Sequence, residues 1–288
     1  MKVLKMSLAQ TKLSLLLSFL TLTACGPAVG GNPDITIQEI RFDKVSDEAR
    51  FSPGDGNRTA FVQSTRRVSD TDTSGKETFN VMVMNNLGTG RTPIALSGSR
   101  LVGVAWAPDG NTVYFASDAG ISSVPAEGGV APTVVVNDHS TVDPDISWDG
   151  KRLVYSGGDS YLKLVDLSNP TLVVDLNQKG TSPRFSPDGK LIAFADDQKI
   201  KTIDPETFKV RVIVSANTYL SSVSWFPDGK RMAMTSDAGV EIIKLGPPVD
   251  HDLVKEQFGA QNLDVSKDGR YMIYNVNGDT SMYVISDF

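Results

Sequence analysis

The sequence predicts an all-β chain, a six-bladed β-propeller of four-stranded antiparallel blades, and three observations carry that expectation. An Asp-Gly pair stands between two apolar stretches six times, at Asp55-Gly56, Asp109-Gly110, Asp149-Gly150, Asp188-Gly189, Asp228-Gly229 and Asp268-Gly269. The last five pairs lie 40, 39, 40 and 40 residues apart, a period that belongs to radially repeated sheets in which each unit is one blade. The fifth residue after every glycine is large and apolar: Phe61, Phe115, Tyr155, Phe194, Met234 and Tyr274. A second apolar position lies three residues before the aspartate, at Trp106, Ile146, Phe185, Trp225 and Val265. In the first copy Phe51 stands four before, because Gly54 adds a residue.

The chain opens with a segment that does not belong to the ring. Residues 1–24 carry lysines at 2, 5 and 12, an apolar run over 13–20, and then Leu22-Thr23-Ala24-Cys25. This is the layout of a secretory signal whose end resembles a bacterial lipobox, in which Cys25 becomes the lipid-bearing first residue. The apolar run is too short to span a bilayer as a helix. Cys25 is the only cysteine of the 288 residues, so a disulfide within one molecule is excluded. Cleavage after Ala24 removes three lysines and no acid, taking the formal charge from −6 to −9. An acidic body argues against nucleic acid and against electrostatic attachment to anionic lipid, so the membrane is reached through the lipid anchor only. Gly26 after the cysteine favours, by resemblance to sorted lipoproteins, the outer membrane facing the periplasm. Residues 25–33 form a short linker of small residues, and 34–288 form the propeller.

Each ring element then follows in order. Asp34-Ile35-Thr36-Ile37-Gln38-Glu39-Ile40 alternates apolar and polar residues as a half-buried strand does. In the first repeat the Asp-Gly spacing grows to 54, and the surplus is the polar stretch 64–77. It reads either as a long hairpin loop that meets a partner or as a surface excursion. Within it, Asp70-x-Asp72-x-Ser74-Gly75 begins like a calcium loop, but the twelfth position is Val81, leaving only Glu77 as a displaced ligand. The second repeat divides into strands over 101–107, 112–117, 120–125 and 132–137. Ala107-Pro108-Asp109-Gly110, Ser186-Pro187-Asp188-Gly189 and Phe226-Pro227-Asp228-Gly229 are tight turns: proline presets φ, aspartate bonds locally and glycine accepts positive φ. The last repeat supplies 263–265, 271–276 and 281–285 and is one strand short. The N-terminal strand is expected to close it as the outer strand of the sixth blade, which ties the termini together and hides a sheet edge.

The pattern W-S-P-D-G followed by K-x-h-h-F resembles the TolB-type propeller repeat, a relative of the WD repeats. Trp106-Ala107-Pro108-Asp109-Gly110, Phe185-Ser186-Pro187-Asp188-Gly189-Lys190 and Trp225-Phe226-Pro227-Asp228-Gly229-Lys230 carry the resemblance. The third and sixth copies lose the proline. The resemblance implies a bacterial envelope scaffold, since TolB-type proteins work in the complex linking the outer membrane to peptidoglycan. This chain departs from that pattern in having the lipobox and no room for a separate N-terminal α/β domain.

For function, the leading expectation is a non-catalytic protein–protein interaction scaffold, a monomer without cofactor, that binds another envelope protein. The loops joining each outer strand to the next inner strand, over 42–46, 97–100, 138–140, 177–180, 215–219 and 259–262, converge on one face. They supply Phe42, Arg100, His139, Lys179, Tyr219 and Asn262 as the expected partner-binding face, exposed Tyr and Arg being frequent interface anchors. Serine-type catalysis is disfavoured: His139 and His251 are the only histidines, they fall in different blades, and no G-x-S-x-G elbow is present. The enzyme alternative is a metal-dependent, lactonase-like hydrolase using channel oxygens at Asp47, Asp138, Asp143, Asn217 and Asn262. A polysaccharide ligand is a further reading, limited by only three tryptophans, of which Trp106 and Trp225 are expected in the core.

Overall fold

The computed structural model describes residues 35–54, 56–67 and 77–288. Cys25 with its signal and linker, Asp55, and residues 68–76 with the calcium-loop-like Asp70, Asp72 and Ser74 lie outside the described residues. The described chain forms six four-stranded antiparallel sheets. The first blade holds β2 (Lys44–Phe51), β3 (Arg58–Arg67), β4 (Phe79–Asn85) and β5 (Thr92–Ser97). The second holds β6 (Leu101–Trp106), β7 (Thr112–Ser117), β8 (Gly120–Pro125) and β9 (Thr133–Val136). The third holds β10 (Val142–Ile146), β11 (Arg152–Ser156), β12 (Tyr161–Asp166) and β13 (Val173–Lys179). The fourth holds β14 (Thr181–Phe185), β15 (Ile192–Asp196), β16 (Lys199–Ile203) and β17 (Val210–Ser215). The fifth holds β18 (Leu220–Trp225), β19 (Arg231–Ser236), β20 (Gly239–Lys244) and β21 (Asp250–Glu256). The sixth holds β22 (Ala260–Val265), β23 (Tyr271–Val276), β24 (Met282–Ser286) and the N-terminal β1 (Thr36–Ile40).

The closure expected from the sequence is present. β1 pairs antiparallel with β24 from Thr36 opposite Ser286 to Ile40 opposite Met282. Ile40 then packs in one cluster with Phe42, Phe51, Phe61, Met84, Ile273 and Met282, which joins the sixth blade to the first. The innermost strands β2, β6, β10, β14, β18 and β22 contact one another in sequence around the ring, with β22 meeting β2.

Local chemistry explains why the Asp-Gly turns recur. They join the innermost strand of each blade to the second, and the glycines sit at positive φ, from 64° to 73°. In the third, fourth and sixth blades a serine two residues before the aspartate donates to it, as Ser147 to Asp149 at 2.6 Å, Ser186 to Asp188 at 2.7 Å and Ser266 to Asp268 at 2.6 Å. The same serine oxygen accepts from the second strand, for example from Arg152 N at 2.9 Å. Those bonds hold the Asp149 and Asp188 carboxyls below the usual range, the serine donor contributing most. The aspartates are thus turn residues. All twelve apolar repeat positions are buried, each contributing roughly 1.5–3 kcal/mol for the larger side chains.

Candidate functional site

The inner strands all run from the face where blades are joined to the face that carries the Asp-Gly turns. Equivalent residues therefore form layers across the channel. One layer holds Arg50, Ala105, Asp145, Arg184, Ser224 and Asp264, each immediately before the buried apolar position that precedes the turn. Where this residue is an acceptor, it takes the backbone N–H of the next blade: Phe185 N donates to Asp145 Oδ2 at 2.8 Å, Val265 N to Ser224 Oγ at 3.1 Å, and Phe51 N to Asp264 Oδ2 at 2.9 Å. Where it is arginine, the next blade supplies a tryptophan whose indole reaches the arginine carbonyl. Trp106 Nε1 donates to Arg50 O at 3.0 Å and Trp225 Nε1 to Arg184 O at 3.2 Å. Five interfaces are linked in one of these two ways. Between the second and third blades, Ala105 has no acceptor to offer and Ile146 no side-chain donor.

A second layer lies toward the blade-joining face. Bulges in β2, β6, β10, β14 and β22 place Glu48, Gly103, Asp143, Ser182 and Asn262 at positive φ, turning them out of the ladder. Asp143 Oδ2 accepts from Ser182 N at 3.0 Å, and Asn262 Nδ2 donates to Asp47 Oδ1 at 2.5 Å. Burial raises the carboxyls of Asp47 and Asp143, and raises Glu48 well above the usual range, where the nearby Asp143 and Asp47 charges add to it. Desolvation disfavours the anion in each case. Of the sequence-expected metal candidates, the channel brings Asp47, Asp143 and Asn262 together. Asp138 instead accepts from Tyr155 OH at 2.8 Å and Lys163 Nζ at 3.1 Å, and Asn217 is exposed. Among the described residues no group of three His, Cys, Asp or Glu side chains is placed to hold a metal ion.

The expected contact face divides. Arg100, His139, Lys179 and Tyr219 are exposed on the blade-joining face; Lys179 lies 5.2 Å from the Tyr161 ring centroid and His139 Nδ1 is 3.2 Å from Asp118 O. Phe42 is a correction: it is buried, 5.2 Å from Phe61 and under the Arg91 guanidinium at 4.1 Å, because the first blade needs an apolar cap where β1 hands over to β2. Asn262 points into the channel rather than outward. Residues 250–252 open the outer strand β21, where His251 Nδ1 is 2.8 Å from Glu241 Oε2. Phe258 lies one residue before the connection expected over 259–262, and no repeat position marks it in the sequence. Among the described residues it is the most exposed large apolar one at 78%, and with Tyr219 at 53% it walls a groove of about 270 Å³ between the fifth and sixth blades.

The opposite mouth of the channel holds a cavity of about 330 Å³ between Phe51, Pro53, Trp106, Pro108, Trp148 and Lys267, floored by Arg50, Asp145 and Asp264. Lys267 Nζ lies 3.9 Å from the centroid of Trp148, on the opposite side of the ring. Burial raises the Asp145 carboxyl to about 6, offset in part by Lys267. Burial raises the carboxyl of Asp264 as well and lowers the Lys267 ammonium.

No family model matches the sequence, and no curated protein matches it. Solved structures do. TolB from Acinetobacter baumannii superposes with a TM-score of 0.63 at 17% identity, over 82% of this chain and 65% of that one. A protein designated TolB from Agrobacterium tumefaciens gives 0.64 at 15% identity, over 88% and 98%. The chain has the fold of a TolB-type propeller. One chain of the mitotic checkpoint complex gives 0.62 at 13% identity, over 100% and 99%. At these identities the TolB-type likeness is one of architecture, and a fold of this kind hosts many functions.

Proposed function

We propose that this chain is a lipid-anchored, non-catalytic envelope propeller that binds another protein through its blade-joining face. The observation that carries the reading is the groove between the fifth and sixth blades, where Tyr219, in the connection just before β18, and Phe258, in the turn between β21 and β22, stand exposed. Exposed aromatic side chains beside a groove are among the commonest interface anchors. Arg100, Lys179 and His139 supply a polar surround on the same face. The TolB-like architecture, and the likeness in fold to one chain of the mitotic checkpoint complex, agree with this reading. The lipobox at Cys25 and the residue after it, Gly26, support anchoring in the outer membrane.

The test is crosslinking and pull-down from intact envelopes, comparing the native chain with Tyr219→Ala/Phe258→Ala and with Cys25→Ser. One partner recovered near stoichiometry by the native chain, and reduced on the order of tenfold or more by the aromatic double variant, is the expected result. Equal recovery by both would refute this face. Retention of Cys25→Ser in the membrane fraction would refute the anchor.

A further inference from the structure

The six turns differ at the residue immediately before Asp-Gly. It is proline in the second, fourth and fifth blades, Gly54 in the first, Trp148 in the third and Lys267 in the sixth. The two large departures belong to opposite blades, and they meet across the turn-side mouth, ammonium over indole. The one interface without a link in this layer, between Ala105 and Ile146, lies beside them and lines the cavity beneath. An aligned set of small departures from a repeat thus makes a recess where proline in every copy would leave a plain rim.

The lining decides the class of ligand. Trp148 offers an indole face, and Trp106, Pro53, Pro108 and Phe51 continue the apolar wall. The polar floor pairs two cations, Arg50 and Lys267, with two carboxylates, Asp145 and Asp264. An anion would meet both aspartates and a cation would meet both bases, so neither sign of charge is favoured. Donors and acceptors are nonetheless present. Arg50 is 5% exposed and its Nε has no hydrogen-bond partner, and Asp145 uses Oδ2 for the backbone of Phe185, leaving Oδ1. A flat ligand with apolar faces and uncharged hydroxyls around its edge satisfies all of these at once. We propose that the turn-side mouth binds a neutral saccharide, with a pyranose ring taking the place of the Lys267 ammonium over the indole of Trp148 and its hydroxyls directed at Asp145, Arg50 and the displaced Lys267. The volume lies at the low end of the range of about 300–1,000 Å³ found for ligand pockets, which suits a short sugar rather than a long chain. This site is on the face opposite the proposed protein groove, so either stands without the other.

The experiment uses the full propeller with cellobiose, chitobiose and maltose as neutral probes, glucuronate as an anionic probe and glucosamine as a cationic one. Binding is read by intrinsic tryptophan fluorescence and by saturation-transfer NMR, Trp106 and Trp148 both lining the cavity. The expected result is binding of at least one neutral disaccharide, weakened on the order of tenfold by Trp148→Ala and by a smaller factor by Lys267→Met. Trp148→Ala should melt with the native chain, since the position is a turn residue that other blades fill with proline; Lys267→Met removes the cation beside Asp145 and Asp264 and is compared at a temperature where its melting curve shows it folded. Silence from every neutral probe, preference for either charged probe, or neutral binding that Trp148→Ala and Lys267→Met leave unchanged each overturns the proposal.

Discussion

The interface between the third and fourth blades and the interface between the second and third differ by two residues on the inner strand. In the first, Asp143 and Asp145 each accept a backbone N–H from β14, at 3.0 Å from Ser182 and 2.8 Å from Phe185. In the second, Gly103 and Ala105 occupy the equivalent places. Gly103 has φ of 139°, and an added Cβ would lie 2.6 Å from Pro144 Cδ and 3.0 Å from Asp143 N, so β10 packs directly on its backbone. One interface is sealed by buried carboxylates at an electrostatic cost, and the other by close approach with a void beside it. A ring held at six places tolerates one place being given over to a cavity, because the neighbours on either side keep the blades in register.

The strongest way to break the comparison is to open the ring at its only joint made from the two ends of the chain. Ile40→Asp puts a carboxylate, without a partner, into the cluster of Phe42, Phe51, Phe61 and Met282 and should cost about 4 kcal/mol. A chemical denaturation curve checks it. A loss below about 1 kcal/mol would mean that β1 contributes little to closure.

The electrostatic cost of the sealed interface is measurable through pH. Asp145 has its carboxyl raised from 3.8 to about 6, so between those values the folded chain binds more protons than the unfolded one. Stability is then present at low pH and is lost as pH rises from about 4 to 6, by at most about 3 kcal/mol for this group. Asp145→Asn keeps an acceptor for Phe185 N and should flatten the slope in that window, leaving the part due to Asp47, Asp143, Asp264 and Glu48. Denaturant midpoints at pH 4 and pH 7 for both proteins give the answer, and identical slopes would remove Asp145 from the account.

Ser224→Ala converts the interface of the fifth and sixth blades into the kind found at Ala105. It removes the acceptor for Val265 N inside a buried layer, and should cost about 1–2 kcal/mol. No change would show that the layer is set by backbone packing alone.

Much of the ring was legible because its signals are local. A forty-residue period, a turn dipeptide and two apolar positions at fixed offsets require nothing from distant parts of the chain, and the short last repeat pointed directly to Asp34–Ile40 as its missing strand. The expected face was less legible. Phe42 has the composition of an exposed loop anchor and is buried, because only the closed ring brings Phe61 and Arg91 over it. Trp148 and Lys267 appeared in the sequence as degraded copies of the proline. Their meeting depends on six blades setting the third opposite the sixth, which no window of sequence contains. The serines two before the aspartates, by contrast, were readable from the repeated Ser-x-Asp-Gly alone.

The smallest effect is the most discriminating. Ala105→Ser installs at the open interface the acceptor that Ser224 provides at its own, directed at Ile146 N, the group equivalent to Val265 N. If the missing link is a cost accepted for the cavity, the variant should gain up to about 1 kcal/mol, the size of one net hydrogen bond, with no loss at the neighbouring interfaces. Thermal unfolding of Ala105→Ser, of Ser224→Ala and of the pair together checks this, because distant independent sites add. A destabilised Ala105→Ser would mean instead that β10 sits too close to β6 for any added atom, as it does at Gly103, and that the cavity is a consequence of packing rather than a feature the ring could close.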